Sequence, residues 1–161
     1  MEINIIAAVA ANRAIGYQND MVYFISEDLK RFKQLTTGHT VIMGRKTFYS
    51  LPKGALPNRR NIVLSRTETN FPGCDVYTSL DEALRYIGVD EKVFVIGGAS
   101  LYKEALAIAH HLFLTEIDAI PPKADVFFPI YNDGTWTIAS HEDHSANDGM
   151  PAYSFVNYIR K

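Results

Sequence analysis

Short runs rich in Val, Ile and Leu recur along the chain, each too brief for a helix. They lie at 3–10 (INIIAAVA), 40–44 (TVIMG), 61–66 (NIVLSR), 74–78 (CDVYT), 92–98 (KVFVIGG) and 111–118 (HLFLTEID), and they predict buried strands. Between them the apolar positions take a three- to four-residue spacing. That spacing predicts helices at 26–36, 45–50, 79–87 and 99–109. Ser79, with Glu82 three residues on, has the spacing of a capping box. The alternation predicts an α/β fold: a mixed, mainly parallel central sheet with flanking helices. The tail has another pattern. TWTIASHED and PAYSFVNYIR follow each other across the polar loop HSANDGM with no helix between them, which predicts a C-terminal antiparallel hairpin. Gly149 and Asn147 suit its turn. Residues 11–25 and 51–60 fit neither pattern. Irregular stretches of that length are often lids or binding loops.

Composition narrows the function classes. The 161 residues suit one domain, 1–161, with a core of its own. A net charge of −2 gives no footprint for nucleic acid or an anionic membrane surface. The lone Cys74 has no disulfide partner and reads as a small core residue in a reducing compartment. No apolar run approaches the ~18 residues of a membrane span. MEINIIAAVA lacks the cationic start of a signal peptide, so the expected location is cytoplasmic. The five histidines show no ligand spacing, and no metal site is expected. Trp136 and the hairpin tyrosines read as sheet packing. Tyr49 finds no explanation in the pattern.

The first helix carries two neighbouring acids, Glu27 and Asp28. With Ser26 as N-cap, Leu29, Phe32 and Leu35 form its apolar stripe. Glu27 lies on the charged face, three and four residues before Lys30 and Arg31. Asp28, four before Phe32, lies at the stripe's edge and turns inward. One reading is a carboxylate favoured by the positive helix N-terminus. The other is an acid awaiting a buried hydrogen-bonding ligand, without which desolvation would raise its pKa.

Three strand ends share a second pattern. VFVIGGASLY passes through two glycines into a helix, VIMGRKTF through Gly44 into Arg45, Lys46 and Thr47, and NIVLSR ends on Ser65 and Arg66. A tight turn and solvated surface charge account for each alone. Together they suggest a molecule with several phosphates outside the carboxyl ends of the strands. The dinucleotide fingerprint G-x-G-x-x-G is absent. Arg45 and Arg66 favour a 2′-phosphate, hence NADPH over NADH.

With these pieces in order, the chain resembles dihydrofolate reductases over nearly its whole length. The segments that carry the resemblance are IAAVAANRAIG, M followed by EDLKRFK, VIMGRKTF, LPNRRNIVLS, VIGGASLY and LTEID. It implies NADPH-dependent reduction of 7,8-dihydrofolate to tetrahydrofolate in one-carbon metabolism, with hydride delivered to C6 and a proton to N5. Asp28 is then the acid of the pterin pocket, and Thr115 is the hydroxyl that supports it. Ile6, Ala7, Ala8, Leu29, Phe32, Ser50 and Ile96 match substrate walls. Arg59, in P-x-R-x-N, matches the arginine for the α-carboxylate of the glutamate tail, with Arg60 as its surface neighbour. Ala8, Ile15 and Gly16 match nicotinamide contacts. Gly44, Arg45, Lys46, Thr47, Leu64, Ser65, Arg66, Ile96, Gly97, Gly98, Ala99, Ser100, Leu101 and Tyr102 match phosphate and adenosine contacts. The resemblance also implies a cis Gly97–Gly98 bond, a lid around Met21, antifolate binding and a monomer. The chain departs from the family at Val22-Tyr23, where Pro-Trp is usual, so a hydroxyl replaces an indole N–H beside the pterin; Ala99 replaces a third glycine. Two other readings keep the phosphate turns: the pyrimidine reductase of riboflavin synthesis and a non-catalytic nucleotide-binding module. Neither gives Asp28 a purpose.

Overall fold

The computed structural model describes residues 1–161. The chain runs β1 (Glu2–Ala10), β2 (Ala14–Tyr17), β3 (Asp20–Met21), α1 (Ser26–Thr36), β4 (Thr40–Gly44), α2 (Arg45–Ser50), β5 (Arg60–Leu64) and β6 (Cys74–Tyr77). It continues through α3 (Leu80–Arg85), β7 (Lys92–Val95), α4 (Ala99–Leu106), β8 (His111–Ile117), β9 (Val126–Phe127), β10 (Trp136–His144) and β11 (Tyr153–Arg160). Eight strands form one sheet in the order β10-β11-β8-β1-β7-β4-β5-β6. The pairs from β8 to β6 are parallel, and β11 runs antiparallel to both β8 and β10. This is the mainly parallel sheet and terminal hairpin that the pattern predicts.

The continuous apolar runs are explained by burial on both faces of the sheet. Ile42 and Ile62 point into a 17-residue core cluster with α3 and α4. Their neighbours Val41, Met43 and Val63 point the other way, into a 7-residue cluster with Phe48 of α2. Alternation along each strand therefore feeds two cores rather than core and solvent. Truncating fully buried Ile42 to Ala would cost about 2–5 kcal/mol.

Several expectations need correction. The N-cap of α1 is Ile25, in extended backbone, and Ser26 is the first helical residue with no side-chain cap. Packing sets that start, because Ile25 is buried against Ile117 and Tyr153. The stripe on α1 is only partly covered: Phe32 and Leu35 pack on the second core, while Leu29 stays 44% exposed. Residues 11–25 are not wholly irregular. β2 and β3 form a hairpin whose turn residues Gln18 and Asn19 both have positive φ, and β9 adds a third strand. Glu82 receives the Ser79 cap as expected, but its carboxylate reaches back to Thr78 rather than to Ser79. Cys74 is only half-buried, at the edge of the second core. Trp136 does pack on the main core as expected, with the Arg160 guanidinium 4.5 Å over its ring.

Candidate active site

The carboxyl ends of β1, β7, β4 and β5 lie side by side along one edge of the sheet, and β8 adjoins β1. Crevices at such edges are where open α/β sheets bind ligands. Asp28 stands at the β8 side of this edge. It is half-buried, in the first turn of α1, and its Oδ1 accepts a hydrogen bond from the Thr115 hydroxyl on β8. Thr115 is 1% exposed, so the donor is held rigidly. Burial pushes the Asp28 carboxyl above its ordinary range, against the opposing pulls of the Thr115 hydrogen bond and the Arg31 charge. No cation forms an ion pair with it; Lys30 is taken by Glu27 at 3.1 Å. A desolvated carboxylate with one protein donor keeps further acceptor capacity. Of the expected wall residues, Ile6 is buried, Ala7, Ala8, Phe32 and Ile96 are half-buried, and Leu29 is uncovered.

The loop 51–60 supplies the next charge. Buried Asn61 staples it: the Leu56 N–H donates to Asn61 Oδ1 at 2.9 Å, and Asn61 Nδ2 donates to the carbonyls of Leu56 (2.8 Å) and Arg59 (3.1 Å). Arg59 thereby reaches the end of α1, where its Nη1 donates to Thr36 Oγ1 at 3.1 Å and its Nε to the Pro57 carbonyl. Arg60 faces elsewhere, with Asp75 at 2.9 Å and the Tyr86 carbonyl at 2.8 Å. The two neighbouring arginines are thus separated by their partners. Ser50 spends its hydroxyl on the Thr47 carbonyl at 2.6 Å.

The β2–β3 hairpin is tied to the segment around β9 by strand pairing and by Asp125. The Gln18 N–H donates to Asp125 Oδ2, and the Asp125 N–H to the Gly16 carbonyl, each at 3.0 Å. Asp125 was not singled out in the sequence, because two strand residues beside it are too short a run to register. Met21 pairs with Gly16 in this hairpin, and Ile15 packs on the main core. Tyr23 lays its ring against the cluster of Ile25, Ile117 and Tyr153.

On the β4–β5 side the turns interlock. The Gly44 N–H donates to the Gly97 carbonyl at 2.8 Å, and the Gly97–Gly98 bond is cis. At Gly97 φ is +132°, and a Cβ there would meet Thr47 Oγ1 at 3.1 Å, so the cradle requires glycine. Ala99 is helical, the first residue of α4. Leu64 ends β5, followed by Ser65, whose hydroxyl is buried with no hydrogen-bond partner. Arg45, Lys46, Arg66 and Ser100 are exposed. Glu68 holds Arg45 at 3.1 Å and accepts from the Tyr49 hydroxyl, which gives Tyr49 its partner. Leu101 and Tyr102 turn into the core, where the Tyr102 hydroxyl donates to the Ile6 carbonyl at 2.9 Å, so only their backbone faces the strand ends.

Known proteins resemble this chain over its length. The family model described as dihydrofolate reductase matches residues 2–160. The chain is 40% identical over 161 residues to the dihydrofolate reductase of Bacillus subtilis, covering 99% of this chain and 95% of that one. It is 40% identical over 162 residues to that of Neisseria gonorrhoeae, with 100% and 99% covered. With that of Staphylococcus aureus it shares 37% over 163 residues, again with 100% and 99% covered. A match of this length, on a fold that brings Asp28 to Thr115 and the glycine turns to one sheet edge, means that the chain belongs to the dihydrofolate reductase family.

Proposed function

We propose that this chain reduces 7,8-dihydrofolate to tetrahydrofolate with NADPH as reductant, and that Asp28 grips the pterin. The observation that carries the reading is the half-buried Asp28 carboxylate, braced by Thr115 and free of any cationic ion-pair partner. Its oxygens suit a pterin ring N–H and exocyclic amine, a forked charge-assisted contact. Held there, the carboxylate favours a protonated, electron-poor ring. Phe32, Ile6 and the uncovered Leu29 supply apolar walls. Arg59, with Nη2 uncommitted, suits the α-carboxylate of the glutamate tail.

The residues at the β4, β5 and β7 ends fit NADPH. The Ser65 hydroxyl is buried without a partner from the chain itself, and at Gly97 the backbone packs too closely on Thr47 for any side chain. Arg66, beside Ser65, suits a 2′-phosphate, and the Lys46 and Thr47 side chains suit the pyrophosphate. When bound, the nicotinamide supplies the hydride. The chain's part is orientation, water exclusion and charge. With Asp28 gripping the amidine edge of the pterin, the N5 proton would come from water beside Tyr23 rather than from the carboxylate. Family membership removes the reason for the riboflavin-pathway and non-catalytic alternatives.

The test is dihydrofolate-dependent loss of the reduced-nicotinamide absorbance by the purified chain. A wild-type rate that falls about 10²- to 10³-fold in Asp28→Asn at pH 7 is expected, together with an Asp28-dependent complex with a diaminopyrimidine antifolate. Absence of dihydrofolate turnover by folded wild-type protein overturns the proposal.

A further inference from the structure

Asp28 has an unexplained cationic neighbour. Arg31, one turn further along α1, sits by sequence pattern on the solvent face, yet it is half-buried. Its guanidinium lies 4.5 Å over the Phe155 ring and donates from Nη2 to Asn157 Oδ1. Both partners come from β11, 124 and 126 residues away in sequence. Phe155 is the register partner of Thr115, the residue that braces Asp28. Asp28 on Thr115 and Arg31 on Phe155 are therefore two parallel helix-to-sheet contacts. They stand one strand spacing apart, about 4.8 Å, and one helical i,i+3 step apart, about 5–6 Å.

We propose that Arg31 is a positioning residue for the reaction: clamped by Phe155 and Asn157, it holds a fixed positive charge beside Asp28 and keeps the pterin-gripping carboxylate ionised. This rests on the role proposed for Asp28. Arginine suits the task because its planar group stacks on an aromatic face and stays charged when partly dehydrated. The other charges near Asp28 do not replace it. Glu27 and Lys30 on α1 neutralise each other in solvent. Glu116 on β8 is taken by the hydroxyls of Tyr131 and Tyr158. Glu142 on β10, paired with His144 at 2.7 Å, and Tyr153 on β11 face the same region and add no cation beyond that histidine. Tyr102 of α4 commits its hydroxyl to Ile6. A charge at a partly desolvated position interacts about four times more strongly than one in bulk water, so Arg31 outweighs solvent-exposed Lys30. The direction of the Asp28 pKa agrees: the Arg31 charge pulls it down against burial.

The experiment compares wild type with Arg31→Met, Arg31→Gln and Arg31→Lys as full chains. Gln keeps a hydrogen bond for Asn157 without charge; Lys keeps charge without the planar fork. Titration of the Asp28 carboxyl is followed by carbon-13 NMR, assigned with Asp28→Asn. Affinity for a 2,4-diaminopyrimidine is measured at pH 5 and pH 8. Met and Gln should move the Asp28 titration to higher pH and weaken the complex about fivefold at pH 5, with little change at pH 8. Lys should restore most of the wild-type profile. If Met and Gln lower Tm yet titrate as wild type does, Arg31 only packs and the proposal is overturned. If Met does not fold, the Gln–Lys contrast decides by the same criterion. A wild-type complex indifferent to Asp28→Asn would instead defeat the reading of Asp28 itself, and this proposal with it.

Discussion

At the β8–α1 side of the sheet edge the Asp28 carboxylate is half-buried, braced by a hydroxyl that is 1% exposed. At the β4–β5 side Arg45, Lys46 and Arg66 stand in solvent, and the organised elements there are backbone turns and a single buried hydroxyl. Under the proposed function the first region would concentrate recognition in one desolvated charge. The second would spread it over screened cations, each worth roughly 0–1 kcal/mol. Sensitivity to substitution should therefore be steeply unequal across a cleft built on one sheet edge.

The most severe test of this inequality is Asp28→Asn. Turnover of dihydrofolate at pH 7 should fall about 10²- to 10³-fold, with partial recovery at low pH or with preprotonated substrate. A pH-independent, unchanged rate would remove Asp28 from the mechanism. Stability should move the other way. A carboxyl whose folded pKa lies above its unfolded value makes the folded state the tighter proton binder. That advantage is full below the unfolded value near 3.8 and is lost as pH rises through the raised folded pKa. Asp28→Asn should therefore melt about 2–4 °C above wild type at pH 7, the gap closing toward pH 4, as calorimetry would show.

Thr115→Val, which leaves the acid without its donor, should cost about tenfold in kcat/KM. Arg59→Gln should raise KM for dihydrofolate by a similar factor, about tenfold, and leave a tail-less pteridine unaffected. The smallest effect belongs to the solvated side. Arg66→Gln should weaken NADPH binding only about two- to fivefold, less at high salt, without changing NADH affinity. A loss as large as that at Asp28 would break the contrast.

The same inequality governs what the sequence discloses. Asp28 was legible because helical spacing alone turns it toward the apolar stripe, and the strand ends were legible because glycines and cations follow buried runs. Arg31 was not, since its partners Phe155 and Asn157 lie on the last strand and nothing local marks a lysine-rich helix face as covered. Tyr49 needed Glu68, 19 residues on, to acquire a partner. The β2–β3 hairpin escaped because Gln18-Asn19 is a weak turn signal beside Asn-Gly, and Val126–Phe127 is only two residues long. Ser26 misled because a good capping residue stood one place beyond the hydrophobic anchor that starts α1. Local rules found what local geometry decides; pairings across the sheet decide the rest.

The strand order has a consequence for biosynthesis. Asp28 leaves the ribosome early, but the partners of its neighbour Arg31, Phe155 and Asn157, belong to β11, which inserts between β8 and β10. An unfinished nascent polypeptide can own the acid, its helix and even Thr115 while still lacking the clamp for Arg31. The fixed positive charge beside Asp28 would thus be set only when the β10–β11 hairpin docks.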